Sequence, residues 1–442
     1  MFSKIVLDNF KSFTHFEFDL HQNKAEKSAK NVAVIYGENA IGKSTVVDAF
    51  RLLNKVKNSV ASSKFSSQVF GTNLAGLQNQ INKLYINDDF IYSASEYIGI
   101  YKKIGSKDNM KARYECFVGN DKYDYRLSFD SASIVDEKLF INGDLGFGMD
   151  RYGNASLSVN HFFSEELNNL ISERFKMYSG KHTLLACINS VYAEVDRTYS
   201  NKNISKAIRN FLFELEKLHV FKETTNFPAM FKYDSNMLPI LVFGNYLDSM
   251  KQQLENTKLA LTMFFSSIYS NISRVDYDIE MAPDNTRTYN LIFVESVGEN
   301  ESRVPYNLAS TGTKKLLELF PTFYEIVSCD NIVVIDEIDS GINDILLKSI
   351  FDSLGDDVKG QLIVTTHNTL LLKNINKKYI YLLDRDENTN EVISYSLDVF
   401  GRQIQSGTDV VGQYLKGLYG GVPQTGSFSM KYIVDVIEHE KK

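Results

Sequence analysis

The chain has 442 residues, 43% of them hydrophobic and 23% charged, with a formal net charge of −7. These values describe a soluble globular protein long enough for two or three domain-sized units, and they exclude a surface coated in positive potential while leaving room for a local basic groove. No apolar stretch is long enough to span a bilayer, the start moves straight into a strand-like pattern with no signal peptide, and three widely spaced cysteines (Cys116, Cys187 and Cys329) point to a reducing compartment without a zinc site.

Ile5, Leu7 and Phe10, then Phe16, Phe18 and Leu20, alternate at strand spacing around a turn at Lys11-Ser12-Phe13. An apolar run, Val32 to Tyr36, follows and reads as a strand. It feeds Gly37-Glu38-Asn39-Ala40-Ile41-Gly42-Lys43-Ser44, which has the form G-x-x-x-x-G-K-[ST]. Thr45 to Val56 reads as the helix leaving it. The spacing suits a nucleotide phosphate. Glycines let backbone N–H groups approach closely, and the helix N-terminus adds partial positive charge. Lys43 can reach the β- and γ-phosphates, and the Ser44 hydroxyl can ligate Mg²⁺.

Arg113 to Val118 and Tyr123 to Phe129 flank the turn Gly119-Asn120-Asp121, and Ile134 to Ile141 ends at the turn Asn142-Gly143-Asp144. The pattern then becomes helical over Phe162 to Ile171 and Ala207 to Phe221. Leu247, Met250, Leu254, Thr257, Leu261, Phe264 and Ile268 form a heptad-like stripe, which suits either a core helix or a short antiparallel arm. Strands return at Val275 to Met281 and Thr288 to Glu295, joined by Ala282-Pro283-Asp284-Asn285. The expected division is 1–155 and 273–442 as two halves of one α/β head, with 156–272 as a helical insertion.

Beyond Val304 the order is helix, strand, helix, strand, with short apolar strands at Ile332 to Ile335, Leu362 to Thr365 and Tyr379 to Leu383, as buried parallel strands should be. The first ends in Asp336-Glu337. Asp336 is placed to hold Mg²⁺ and Glu337 to orient and polarise the attacking water, which with charge neutralisation is most of what phosphoryl transfer needs. The second ends in Thr365-Thr366-His367-Asn368, where His367 could contact the γ-phosphate or the water near Glu337, or simply cap the strand. Upstream, Ser310-Thr311-Gly312-Thr313 opens a helix that Pro321 should kink or end. Its small residues offer N–H groups to an anion, and equally make an ordinary N-cap.

Taken in order, the phosphate loop, Ser-x-Gly helix start, apolar strand with Asp-Glu, and Thr-His resemble the ATP-binding-cassette ATPases, and within them the RecF/SMC/OLD branch of AAA-family proteins. Asp8-Asn9-Phe10-Lys11-Ser12-Phe13 is similar to that branch's first hairpin. The run from Tyr414 to Pro423, Tyr414-Leu415-Lys416-Gly417-Leu418-Tyr419-Gly420-Gly421-Val422-Pro423, resembles the tail of bacterial abortive-infection ATPases of phage-defence operons. The resemblance implies an α/β ABC-type P-loop ATPase head, with a mixed sheet, antiparallel β hairpins and a helical insertion. It implies ATP and Mg²⁺ as ligands. It implies head-to-tail pairing, so that Lys43, Asp336, Glu337 and His367 of one copy face Ser310 and Gly312 of another across ATP. Ser310-Thr311-Gly312-Thr313-Lys314 departs from the usual Leu-Ser-Gly-Gly-Gln signature, which leaves turnover open. Gln68, Gln78 and Gln80 lie in the interval of the glutamine loop, Asp339 suits a dimer-contact loop, and Lys11 is a further candidate for the nucleotide.

The expected function is a cytoplasmic ATPase switch in antiviral defence, a homodimer or higher homo-oligomer acting on a separately encoded effector protein (a nuclease or toxin), with no membrane role. Two alternatives share every motif: a RecF-like ATPase that binds DNA, so nucleic acid stays open as a partner, and an ATP-bound oligomeric scaffold without turnover.

Overall fold

The structure is a computed structural model that describes residues 1–22, 28–71, 93–159, 161–178, 180–222, 236–281, 285–298, 300–355, 357–400, 409–422 and 429–439. Strands β1 (Phe2–Phe10) and β2 (Phe13–Asp19) pair as a hairpin. Strand β3 (Val32–Tyr36) runs into the phosphate loop and helix α1 (Lys43–Gly71), well beyond the helix expected from sequence. After the short helix α2 (Tyr97–Tyr101) come β4 (Met110–Val118), β5 (Asp121–Phe129), β6 (Ile134–Ile141), β7 (Asp144–Met149) and β8 (Ala155–Leu157). Together with the first hairpin they form a seven-stranded antiparallel sheet in the order β2-β1-β4-β5-β6-β7-β8.

Helices α3 (Glu165–Tyr178), α4 (Leu184–Glu194), α5 (Arg197–Asn203) and α6 (Lys206–Glu216) follow. Each of α4, α5 and α6 starts on a side-chain cap, from Thr183, Asp196 and Ser205. Here sequence and structure part. The helical pattern read as far as Phe221 stops at Glu216, and Leu218–Phe221 is a strand, β9, inside the stretch expected to be a helical insertion. Strand β10 (Phe243–Asn245) and helix α7 (Lys251–Ile268) lead to β11 (Ile272–Met281), β12 (Arg287–Val297) and β13 (Asn300–Pro305). Of the heptad-like stripe, Leu254, Thr257 and Leu261 are buried on α7, which packs on β11; Phe265, outside the stripe, completes the buried face, while Phe264 and Ile268 are half-buried and Leu247 is exposed ahead of the helix.

Helix α8 (Thr311–Ser328) continues through Pro321 without ending. Strand β14 (Ile332–Ile335), helix α9 (Asp344–Leu354), strand β15 (Gln361–Thr365), helix α10 (Thr369–Asn374), strands β16 (Ile380–Arg385) and β17 (Val392–Ser396), and helices α11 (Val410–Leu415) and α12 (Met430–His439) complete the chain.

The second large sheet has the order β17-β16-β3-β15-β14-β9, parallel from β16 to β9 and antiparallel only at β17. It is covered on both sides, which explains its continuous apolar runs. Ile332 and Val334 join one core with α1 and the antiparallel sheet. Val333 and Ile335 join another with α7, α8 and α9. The phosphate loop, Asp336 and His367 all follow strands of this sheet, so parallel pairing carries them to the same edge.

Candidate functional site

All five residues of β3 are buried, so the strand is a fixed platform for the loop that leaves it. The loop turns through Ala40 at φ 63° and Gly42 at φ 120°. At Gly42 a side chain is excluded by both conformation and space, since a Cβ there would lie 2.5 Å from the Phe13 ring. The first hairpin therefore props the loop from below, with the Ser12 hydroxyl 3.3 Å from that of Thr45. The ammonium of Lys43 folds back onto the loop and donates to the carbonyls of Gly37 (2.9 Å) and Glu38 (3.0 Å). Burial lowers the Lys43 pKa, while the charges of Glu337, Asp336, Asp339 and Glu38 oppose that shift.

The Ser44 hydroxyl donates to Asp336 Oδ1 at 3.2 Å. A buried hydroxyl, Thr365, binds the same oxygen at 2.7 Å and accepts the Glu337 N–H at 2.8 Å. Glu337 itself has φ 49°, a left-handed conformation that a non-glycine residue holds only when its surroundings enforce it. The relay Ser44–Asp336–Thr365–Glu337 fixes the Asp336 carboxylate and the Glu337 backbone from the neighbouring strand. Sequence reading gave Thr365 no role; the signal was a small hydroxyl residue at the end of the strand beside the two acids. Ser44 and Asp336 together offer hard oxygen ligands of the kind Mg²⁺ takes.

The His367 backbone N–H donates to Asp339 Oδ2 at 3.1 Å. Partial burial, and then the charge of Lys43, hold the His367 imidazole below its ordinary pKa, against the opposing pull of Asp339 and Asp336. The other Asp339 oxygen, Oδ1, is buried without a hydrogen-bond partner among the described residues. The structure thus brings Gly37 to Thr45, Asp336, Glu337, Asp339 and His367 to one edge of the parallel sheet.

Ser310 and Gly312 lie at the N-terminus of α8, beside the end of the loop that carries Glu337 and Asp339. Ser310 caps the helix by accepting the Thr313 N–H at 3.1 Å, and a Cβ on Gly312 would meet the Gly341 carbonyl at 3.1 Å. Lys11 turns to the buried carboxylate of Asp48 and lies over the Tyr101 ring, 5.2 Å from its centroid. Gln78, Gln80, Pro423 and the side chain of Gln68 lie outside the described residues. The tail backs the loop. The Tyr414 ring meets Tyr36 edge-on with centroids 6.1 Å apart, its hydroxyl donates to the Gly421 carbonyl at 3.0 Å, and a Cβ on Gly421 would lie 3.5 Å from Gly37 Cα. A cleft of about 540 Å³ lined by Met1, Asn31, Lys217 and Asp330 is at the opposite end of the sheet, where β3, β9 and β14 begin.

A phosphate loop and a strand-end acid pair on adjoining elements of a doubly covered parallel sheet define a P-loop nucleotide-binding protein. A family model described as AAA_15, AAA ATPase domain, matches residues 1–372, and the chain belongs to that family. No curated protein matches the chain. Among solved structures it is similar to an SMC head bound to the C-winged-helix domain of ScpA, at 15% identity over 91% of this chain and 99% of that one, with a TM-score of 0.42. It is also similar to the SMC head domain from Thermotoga maritima (12% identity, 89% and 98% covered, TM-score 0.40). A third is an SMC head with an extended coiled coil bound to the C-terminal domain of ScpA, derived from Pyrococcus furiosus (15%, 91% and 98%, 0.40). Among the described residues, no helix is long and apolar enough to cross a membrane.

Proposed function

We propose that this chain hydrolyses ATP and works as a cytoplasmic switch in which two or more copies close on the nucleotide. The observation that carries this reading is the relay from Ser44 through Asp336 and Thr365 to Glu337, which ties the ligands suited to a metal to the acid suited to activating water.

The N–H groups from Gly37 to Thr45 receive the phosphates at the mouth of α1. Lys43 exchanges its two carbonyl acceptors for β- and γ-phosphate oxygens, a trade of neutral for charged acceptors that favours the bound state. Ser44 and Asp336 hold Mg²⁺, whose chemistry when bound is neutralisation of phosphate charge. Glu337 accepts a hydrogen bond from the attacking water and aims it along the line of displacement. His367 contacts the γ-phosphate or that water. Ser310 and Gly312 lie at a helix N-terminus that a second copy presents to the γ-phosphate, and Asp339 lies in the loop between the copies.

The tail resemblance, from Tyr414 to Pro423, supports a role in bacterial anti-phage defence, with the cycle holding and releasing a separately encoded effector such as a nuclease or toxin. The test is Glu337→Gln with Lys43→Ala as its counterpart. The first should bind ATP, stall, and form ATP-dependent dimers or larger assemblies by light scattering; the second should lose nucleotide binding. A Glu337→Gln protein that stays monomeric in saturating Mg-ATP, beside a wild type that releases no phosphate, removes the switch. Salt-sensitive duplex binding that requires ATP would favour the RecF-like alternative instead. Equal phosphate release from wild type and Lys43→Ala, with ATP still bound by wild type, would favour the scaffold.

A further inference from the structure

Asp48 lies on α1, four residues beyond Ser44, and so on the same helix face one turn deeper. It is 2% exposed, and its carboxylate holds two ammonium groups. Lys11 reaches Oδ2 from the turn between β1 and β2, and Lys222 reaches Oδ1 at 2.6 Å. Lys222 follows β9, whose last residue pairs with Ile335 and whose Phe221 carbonyl accepts the Asp336 N–H at 2.8 Å.

One lysine suffices to neutralise one buried carboxylate. The second cation therefore adds a connection rather than a missing charge. The node ties together the phosphate-loop helix, the hairpin under the loop and the strand beside the two acids. A triphosphate arriving at the mouth of α1, one turn away, changes the potential at all three groups.

We propose that Lys222 is a positioning residue of this site: held on Asp48, it fixes the end of β9 beside Asp336 and so steadies the acid-bearing loop after β14 on the helix that receives the nucleotide. The inference rests on the ATPase reading. It predicts an effect on turnover and closure rather than on nucleotide capture, because Lys222 acts through Asp48 and β9 and not on the phosphates.

The experiment compares wild type, Lys222→Met, which keeps the aliphatic stem, and Lys222→Arg, which keeps the charge. Fluorescent-ATP binding, kcat, KM and melting temperature are measured for each, and ATP-dependent assembly is measured in a Glu337→Gln background. Lys222→Met should bind ATP within about threefold of wild type, lose about tenfold or more in kcat, and fail to assemble with ATP. Lys222→Arg should recover kcat to within about threefold, a rescue that lost packing alone would not give. A folded Lys222→Met with wild-type kcat and assembly overturns the proposal. So does a parallel loss of kcat in the Met and Arg variants, or a loss confined to ATP affinity. A wild type that neither binds nor hydrolyses ATP overturns the ATPase reading itself, which separates the two failures.

Discussion

Replacing Thr365 by valine removes one oxygen atom and keeps the shape of a fully buried side chain. That oxygen makes a 2.7 Å bond to the Asp336 carboxylate and accepts the Glu337 N–H at 2.8 Å. A bond to an ionised acceptor contributes about 1.5–3 kcal/mol, and an orphaned backbone N–H costs about 1–3 kcal/mol, so the loss should be roughly 3–5 kcal/mol. Thr365→Ser is the control, since it keeps the hydroxyl and loses a methyl group for about 1 kcal/mol. The catalytic effect is larger in relative terms. Glu337 sits at φ 49° and is held there partly by this hydroxyl. A carboxylate displaced by about 1 Å costs about 10²-fold in rate. Steady-state phosphate release should therefore show kcat about 100-fold lower in Thr365→Val with KM within about threefold, and near wild type in Thr365→Ser. Denaturant unfolding supplies the stability difference. If valine and serine variants agree in kcat within about twofold, the relay does not position Glu337 and the reasoning fails.

Gly42→Ala should abolish ATP binding in a binding assay, because its Cβ would sit 2.5 Å from Phe13 at a φ of 120°; wild-type affinity would show that the hairpin does not prop the loop. Glu137 offers a pH test. It is fully buried, burial raises its pKa from 4.5 to about 7, and the N–H groups of Leu185 and Leu184 and the Tyr125 hydroxyl pull it back. The folded form binds this proton more tightly than the unfolded chain, so its stabilisation is present below pH 4.5 and lost as pH rises through about 7, by about 3 kcal/mol in all. Melting temperatures from pH 4.5 to 8 should carry that slope in wild type and lack it in Glu137→Gln; equal slopes refute the assignment. Burial and the Lys43 charge hold the His367 pKa of the free protein below its ordinary value, so any limb of kcat/KM that His367→Asn removes should have its midpoint below pH 6.5; a midpoint above that would contradict this.

The nucleotide end of the molecule was legible because its chemistry is local. Gly37 to Ser44 is one continuous motif, and Asp336 and Glu337 directly follow four apolar residues, so spacing alone placed them on a loop and a strand end. The first hairpin and the strands from β4 to β6 were legible for the same reason, through alternation and turn residues. Strand β9 was not. Leu212, Leu215, Leu218 and Phe221 continue a three-residue spacing, and a four-residue buried strand has no period of its own to break the pattern. Its identity comes from pairing with β14, a contact more than a hundred residues away in the chain. Thr365 and the Asp48 node were hidden similarly. Each is an ordinary hydroxyl or charge in sequence, and acquires meaning only from neighbours brought by other strands.

The approach of Gly421 to Gly37 joins points far apart along the chain. During synthesis β3 emerges long before β15 and β16 on its flanks, and before the glycine that seals its back. Contacts of such long range are slow to form because chain closure must precede their reward. A nascent chain thus carries an unfinished anion pocket until these distant strands and the Gly421 turn have been made, and competence to engage the nucleotide waits on them.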